Sequence, residues 1–205
     1  MQIAIIDYGL GNLYSVLGAI RKVGYNAIIT NDISKIELAD KLILPGVGAF
    51  GDGMRNIQKL GLIDPLNFLV NFKKIPILAI CLGFQILSQK SSEFGTHKGL
   101  GWIDSTVDKL ITKNKDLRVP HVGWNNLKMQ KNSVLWDGIP DDALFYYVHS
   151  FHMQCRDKNI IIGNCTYGNE FVAAIQKNNI FATQFHPEKS QLHGLRLIRN
   201  FIEKV

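Results

Sequence analysis

Pro76-Ile77-Leu78-Ala79-Ile80-Cys81-Leu82-Gly83-Phe84-Gln85 is the stretch on which the fold turns. Five apolar residues in a row suit a strand covered on both faces, as in a parallel sheet, rather than a half-exposed strand. A helix pattern over 82–90 follows at once, so a cysteine stands at the point where strand becomes helix. That is the context of a nucleophile elbow, a sharp turn that lifts a side chain clear of the sheet. Such a turn needs small neighbours, and Ala79 and Gly83 flank the cysteine two positions either side. The helix N-terminus behind the sulfur favours thiolate over thiol, and its free N–H groups can hold an oxyanion. A buried structural cysteine is the commonest fate of a free thiol, so the cysteine alone does not decide the chemistry.

Outward from that stretch, the first half alternates strand and helix. Ile3-Ala4-Ile5-Ile6, Ala27-Ile28-Ile29 and Leu42-Ile43-Leu44 read as strands, the third broken by Pro45-Gly46, and 75–80 as a fourth. Leu13, Val16, Leu17, Ile20 and Val23 recur at helical spacing and Gly24 closes that helix, while 64–72 predicts another. Strand–helix alternation with short connections signals a parallel sheet with right-handed crossovers. The second half changes character: 106–111, 119–122, 145–148, 160–165, 171–176 and 180–185 are short strand-like runs separated by Gly, Asn and Asp. A helix over 192–205 ends the chain, with Leu195, Ile198, Phe201 and Ile202 on one face. The expected fold is α/β, a mostly parallel open sheet flanked by helices with additional antiparallel strands in the second half, in a single domain over residues 1–205.

Composition agrees with an ordinary folded chain. The 205 residues are 46% hydrophobic and 20% charged, enough for a core burying roughly 70% of the unfolded surface. Three cysteines are too few, and odd in number, for a disulfide scaffold, which points to a reducing compartment. The net charge of +6 is spread thinly: the longest basic run is Lys73-Lys74, so no nucleic-acid stripe is expected. The apolar stretch 75–84 is half a membrane span and no signal-peptide pattern opens the chain, so a cytoplasmic protein without membrane contact is expected.

A cysteine nucleophile needs a base. Among six histidines, His186 follows the strand 180–185 and precedes Pro187-Glu188. A strand end is a rigid platform, and a carboxylate two residues on can turn back to fix the imidazole's tautomer. Leu44-Pro45-Gly46-Val47-Gly48-Ala49-Phe50 offers a backbone donor beside the cysteine; no Gly-Lys-Ser/Thr follows it, which argues against a phosphate cradle. Gly9-Leu10-Gly11-Asn12 lacks the third glycine of a dinucleotide fingerprint, with Tyr14 in its place. His149, His152 and Cys155 are spaced for neither a strand face nor a zinc finger, so no metal and no cofactor are expected.

Taken in order along the chain, these fragments resemble the class I, triad-type glutamine amidotransferases, whose fold is flavodoxin-like. The resemblance runs nearly end to end. It rests on Ile5-Ile6-Asp7-Tyr8-Gly9-Leu10-Gly11-Asn12, Pro45-Gly46-Val47-Gly48-Ala49-Phe50-Gly51, Cys81-Leu82-Gly83-Phe84-Gln85, Val119-Pro120-His121-Val122-Gly123-Trp124-Asn125, His186-Pro187-Glu188-Lys189-Ser190 and Gly194-Leu195-Arg196 with Arg199-Asn200-Phe201. The fragments are most similar to the glutaminase subunit of imidazole glycerol phosphate synthase.

The resemblance implies Cys81 as the nucleophile toward glutamine, His186 as acid and base, and Glu188 as its orienting carboxylate. It implies an oxyanion hole from Leu82 and, after rearrangement, Val47 and Gly48. It also implies glutamine binding by Gly46, Gln85, Ser150 and Phe151, and a partner interface near Asn12, Trp124 and Lys189. The implied partner is a (β/α)8-barrel cyclase that receives the ammonia in a heterodimer, in histidine biosynthesis. A related synthase amidating a nucleotide-linked sugar for surface polysaccharides is the alternative client. The chain departs from the family pattern at Ala79, Phe84 and Ser150-Phe151-His152, none of which removes a catalytic group.

Overall fold

The computed structural model describes every residue except 113, 115 and 131. An eight-stranded sheet forms its centre, in the order β2 (Ala27–Thr30), β1 (Ile3–Ile6), β3 (Lys41–Gly46), β4 (Ile77–Cys81), β14 (Ile180–Thr183), β13 (Asn169–Lys177), β12 (Ile161–Tyr167) and β9 (Lys128–Met129). The first five are parallel; β13, β12 and β9 add antiparallel. The strands alternate side chains between two cores. Ile3, Ile5, Ile43, Leu78 and Ile80 pack on one side with Val16, Leu17 and Ile20 of α1 (Leu13–Lys22) and Leu197, Ile198 and Phe201 of α6 (Gln191–Lys204). Ala4, Ile6, Leu42, Leu44, Ile77 and Ala79 pack on the other. There they meet Ile36 of α2 (Ile33–Glu37), Phe50 and Ile57 of α3 (Phe50–Lys59) and Leu66 of α4 (Ile63–Asn67). Because both faces are covered, the parallel strands carry no polar stripe, as their sequences predict.

Between the neighbours β4 and β14 the chain makes an excursion over residues 82–179. After α5 (Leu82–Gln85) it lays down β5 (Lys90–Ser91), β6 (His97–Lys98) and β7 (Ser105–Lys109), then β8 (His121–Asn126), and later β10 (Leu144–His149) and β11 (Phe151–Cys155). Strands β11, β7, β5 and β6 form a four-stranded sheet, and β10 pairs antiparallel with β8, His149 opposite His121. Among the described residues no helix is long and apolar enough to cross a membrane.

Several local expectations are corrected. Pro45-Gly46 does not break the third strand: β3 runs on through both, with Pro45 opposite Ile80 and Gly46 opposite Cys81. Its pairing with β1 has ended at Ile43, so the missing proline N–H costs no ladder bond on that side. The fourth strand starts at Ile77 rather than 75. The strand expected at 119–122 lies at His121–Asn126, and the helix expected over 64–72 is α4 followed by a π-helical turn, Phe68–Phe72.

The helix expected over 82–90 is a single turn. Its would-be acceptors go elsewhere: the carbonyls of Ile86, Leu87, Ser88 and Gln89 accept from the amides of Leu100, Ile103, Gly101 and Gly99. Helix α3 was hidden by Gly51 and Gly53, poor helix formers. Both sit in close packing: a Cβ at Gly51 would meet the His97 ring at 2.7 Å, so the ring would have to move, and one at Gly53 would press on the Leu82 side chain at 3.3 Å.

Candidate active site

The parallel strands β1, β3, β4 and β14 all point their carboxyl ends at one edge of the sheet, where open α/β folds bind ligands. Cys81 ends β4 with φ 54° and ψ −106°, a conformation L residues avoid and one that surrounding contacts must enforce. The enforcement is visible in the neighbours. A Cβ on Gly83 would stand 1.8 Å from the Leu44 carbonyl oxygen, and one on Gly46 2.0 Å from the Tyr8 hydroxyl, so the turn closes only on glycine at both places. Since α5 is one turn long, the elbow offers free amides rather than a long helix dipole. Cys81 is 6% exposed; its Sγ lies 3.9 Å from the Val148 carbonyl oxygen and 3.7 Å from Gln184 Nε2.

Gln184 and His186 follow β14, the strand beside β4. The His186 amide donates to the Tyr146 carbonyl at 2.9 Å, and the His186 carbonyl accepts from Ser190 Oγ at 2.6 Å, which fixes the backbone under the ring. Nδ1 lies 2.7 Å from Glu188 Oε1, with both side chains 2% exposed. A carboxylate there keeps the proton on Nδ1 and leaves Nε2 for the other side. Nε2 has no hydrogen-bond partner among the described residues, and Cys81 is close enough to bear on the charge of the imidazole. Burial pulls the imidazole's pKa down. Nearby Cys81, and then Glu188 at Nδ1, outweigh burial and lift it to about 10. Sulfur, imidazole and carboxylate, distant along the chain, thus form one electrostatic unit.

A cleft of about 390 Å³ opens over the sulfur. Of the residues singled out in the sequence, Val47, Gly48, Cys81, Leu82, Gln85, Ser150, Phe151 and Lys189 line it. Gly46 does not; it packs behind the elbow against Tyr8 and Leu82. Gly48 has φ +108°, so the backbone beside the cleft is held in a form that glycine alone adopts easily. The carbonyls of Ser150 and Phe151 are already engaged, the first by the Leu110 amide at 2.8 Å, the second by Gln85 Nε2 at 2.9 Å and His149 Nδ1 at 2.9 Å.

The sequence reading missed four groups. Glu93 and His149 line the cleft, and Gln184 and Tyr8 are fully buried beneath it. His149 carries no neighbouring Pro-Glu signal to distinguish it. Burial pushes its pKa down to about 3, so it is a neutral donor and acceptor, 3.1 Å from His121 Nδ1. The Tyr8 hydroxyl has no hydrogen-bond partner among the described residues, and burial, then the charge of Cys81, push its pKa up. Among the described residues no group of three His, Cys, Asp or Glu is placed to hold a metal ion.

At the rim, Lys189 Nζ lies 5.7 Å from the centre of the Tyr146 ring, which meets the half-exposed Trp124 edge-on at 5.9 Å. Asn12, exposed at the start of α1, lies outside the cleft lining. It closes the 9–12 loop, whose Gly11 packs near the Pro45 carbonyl.

The family model for class-I glutamine amidotransferases matches residues 4–205. An imidazole glycerol phosphate synthase subunit HisH 2 of Methanococcus maripaludis is 48% identical over 99% of this chain and 100% of its own. Subunit HisH 1 of Campylobacter jejuni is 46% identical over 98% of this chain and 99% of its own, and subunit HisH 2 of Pseudomonas aeruginosa 44% over 100% of each. Among solved structures, a putative GMP synthase subunit from Thermoplasma acidophilum superposes with a TM-score of 0.74 at 20% identity, covering 98% of this chain and 92% of that one. A glutamine amidotransferase from Thermotoga maritima gives 0.67 at 15% identity, covering 99% and 96%, so the α/β architecture is shared well beyond recognisable sequence. With the match spanning nearly every residue, the chain belongs to the class-I glutamine amidotransferases.

Proposed function

We propose that this chain is the glutaminase subunit of an imidazole glycerol phosphate synthase, acting as one domain over residues 1–205 in the cytoplasm. It releases ammonia from glutamine and passes it to a (β/α)8-barrel cyclase in a heterodimer. The observation that carries the client is the full-length likeness to curated subunits of that synthase. The chemistry is supported by the coupling of Cys81, which lines the cleft, to His186 and Glu188, which are buried and outside its lining.

In this reading the Cys81 sulfur forms a bond to the side-chain amide carbon of glutamine. His186 gives its Nε2 proton to the departing nitrogen as the C–N bond breaks. Ammonia leaves, and a thioester remains. Water then adds, giving a proton back to His186 as the C–S bond breaks to yield glutamate. Glu188 holds the imidazole by Nδ1 throughout. The Leu82 amide, with Val47 and Gly48 after their backbone rearranges, stabilises the oxyanion. Gln85, the backbone at 150–151 and the 46–48 turn seat the amino-acid end, and the Glu93 carboxylate suits the α-ammonium group. Asn12, Trp124 and Lys189 meet the partner, because Lys189 joins the cleft to the rim.

In the complex, Cys81→Ala is expected to abolish glutamine-dependent turnover while ammonia-dependent turnover persists. The isolated chain hydrolyses glutamine weakly, because Val47 and Gly48 await the partner. Full glutaminase activity in the variant would end the nucleophile assignment.

One observation favours a second client. Methanococcus maripaludis has two such subunits, HisH 1 and HisH 2, both similar to this chain at 45% and 48% identity. Two glutaminases in one organism suit two synthases, the second a sugar amidotransferase of surface-polysaccharide synthesis. Copurification from the native cell, with mass spectrometry of the bound chain, separates the two.

A further inference from the structure

Glutamine hydrolysis by Cys81, His186 and Glu188 leaves Gln184 unused, although it is fully buried and touches the sulfur. Its orientation follows from its neighbours. The Phe151 carbonyl can only accept, so the Gln85 group 2.9 Å from it is the amide nitrogen. That same nitrogen lies 3.1 Å from Gln184, which must therefore turn its oxygen toward Gln85. The Gln184 nitrogen is left facing Cys81 Sγ at 3.7 Å. An N–H aimed at sulfur stabilises thiolate and has nothing to offer a thiol proton. His149 reinforces the fixed point: its Nδ1 donates to the same Phe151 carbonyl, which leaves Nε2 to accept from His121.

We propose that Gln184 is a positioning residue that donates a hydrogen bond to the Cys81 sulfur and latches it to Gln85, so that nucleophile and substrate seat are held as one unit. The proposal rests on Cys81 being the nucleophile. The titratable groups around the sulfur are His186 with Glu188 behind it, Tyr8 beneath, and Glu93, His149 and Lys189 along the cleft; Gln184 adds an uncharged amide nitrogen 3.7 Å from the sulfur.

The test is the pH dependence of iodoacetamide alkylation at Cys81 in the full-length chain, followed by mass spectrometry. Cys155 and Cys165 serve as internal references, since burial pushes both thiols up to about 12. Gln184→Met removes the donor and the latch. It is expected to raise the alkylation midpoint by about one pH unit, slow alkylation at pH 7 about tenfold, and raise the glutamine KM of the complex. Gln184→Glu keeps an acceptor for Gln85 but loses the donor. Its carboxylate also repels thiolate, so it should raise the midpoint further than Gln184→Met does while holding KM within about twofold, a split that loss of packing does not produce. Should one variant fail to fold, the other carries the test. A midpoint and KM unchanged in a folded variant overturn the proposal. If Cys81 in the unaltered chain reacts no faster at pH 7 than Cys155 and Cys165, the nucleophile reading falls and the proposal with it; a fast Cys81 indifferent to Gln184 overturns the proposal alone.

Discussion

His186 depends on its neighbours for its charge. The imidazole sits where burial favours its neutral form, and it holds its proton through Cys81 on one side and Glu188 on the other. Removing one neighbour is therefore predicted to lower its pKa. In Glu188→Gln the imidazole titration, followed by NMR of labelled histidine, moves down from about 10, and kcat falls by roughly 10²-fold or more with little change in KM. An unchanged titration would show that Glu188 only fills space. The pairing of His186 with Glu188 was readable from two positions in the sequence, because a carboxylate two residues from an imidazole can reach it locally. Gln184 was not readable: its partners, Cys81, Gln85 and the Phe151 carbonyl, arrive from three other segments.

At the scale of elements, the elbow is a packing problem solved by leaving side chains out. Strands β3 and β4 run in register to their ends, Gly46 beside Cys81, and α5 must start without striking β3. Gly83 makes that crossing possible. Gly83→Ala puts a methyl group into the Leu44 carbonyl and is expected to destabilise the fold by about 2–3 kcal/mol, read by urea unfolding. A variant within 0.5 kcal/mol of the parent, on the order of a surface change, would mean the elbow has room to move. Periodicity located the central strands well, since buried parallel strands are continuous apolar runs. It overextended α5 and missed α3, because acceptors given to 99–103 and glycines packed on His97 and Leu82 are decisions of neighbouring segments.

Across the whole molecule, three buried histidines make stability depend on pH in opposite directions. His186, raised to about 10 in the folded chain against 6.5, contributes stability that is fully present below pH 6.5 and is lost as pH rises toward 10. His121 and His149 are pushed down to about 4 and 3, both chiefly by burial. The unfolded chain takes up their protons below about pH 6.5 while the folded chain refuses them, so stability falls as pH drops toward 4 and then 3. Thermal melts should be highest near neutrality. His121→Gln should flatten the acid side relative to the parent, and an acid limb of the same slope in both would refute the assignment. Both histidines lie on the β8–β10 pair that also carries Trp124 and Tyr146, so acid acts on this pair.

The order of residues along the chain determined the class of fold, the elbow and the nucleophile, base and carboxylate suggested for it. Each of these is written in short-range patterns: apolar runs, small residues about a turn, a carboxylate two places from an imidazole. The tertiary structure alone decided that the ends of β4 and β14 lie side by side across an excursion of residues 82–179, and that Gln85 and Gln184 share one hydrogen-bonded chain beneath the cleft. Such meetings are set by strand pairing and by the burial of polar groups that must find partners, and no local pattern encodes a partner a hundred residues away.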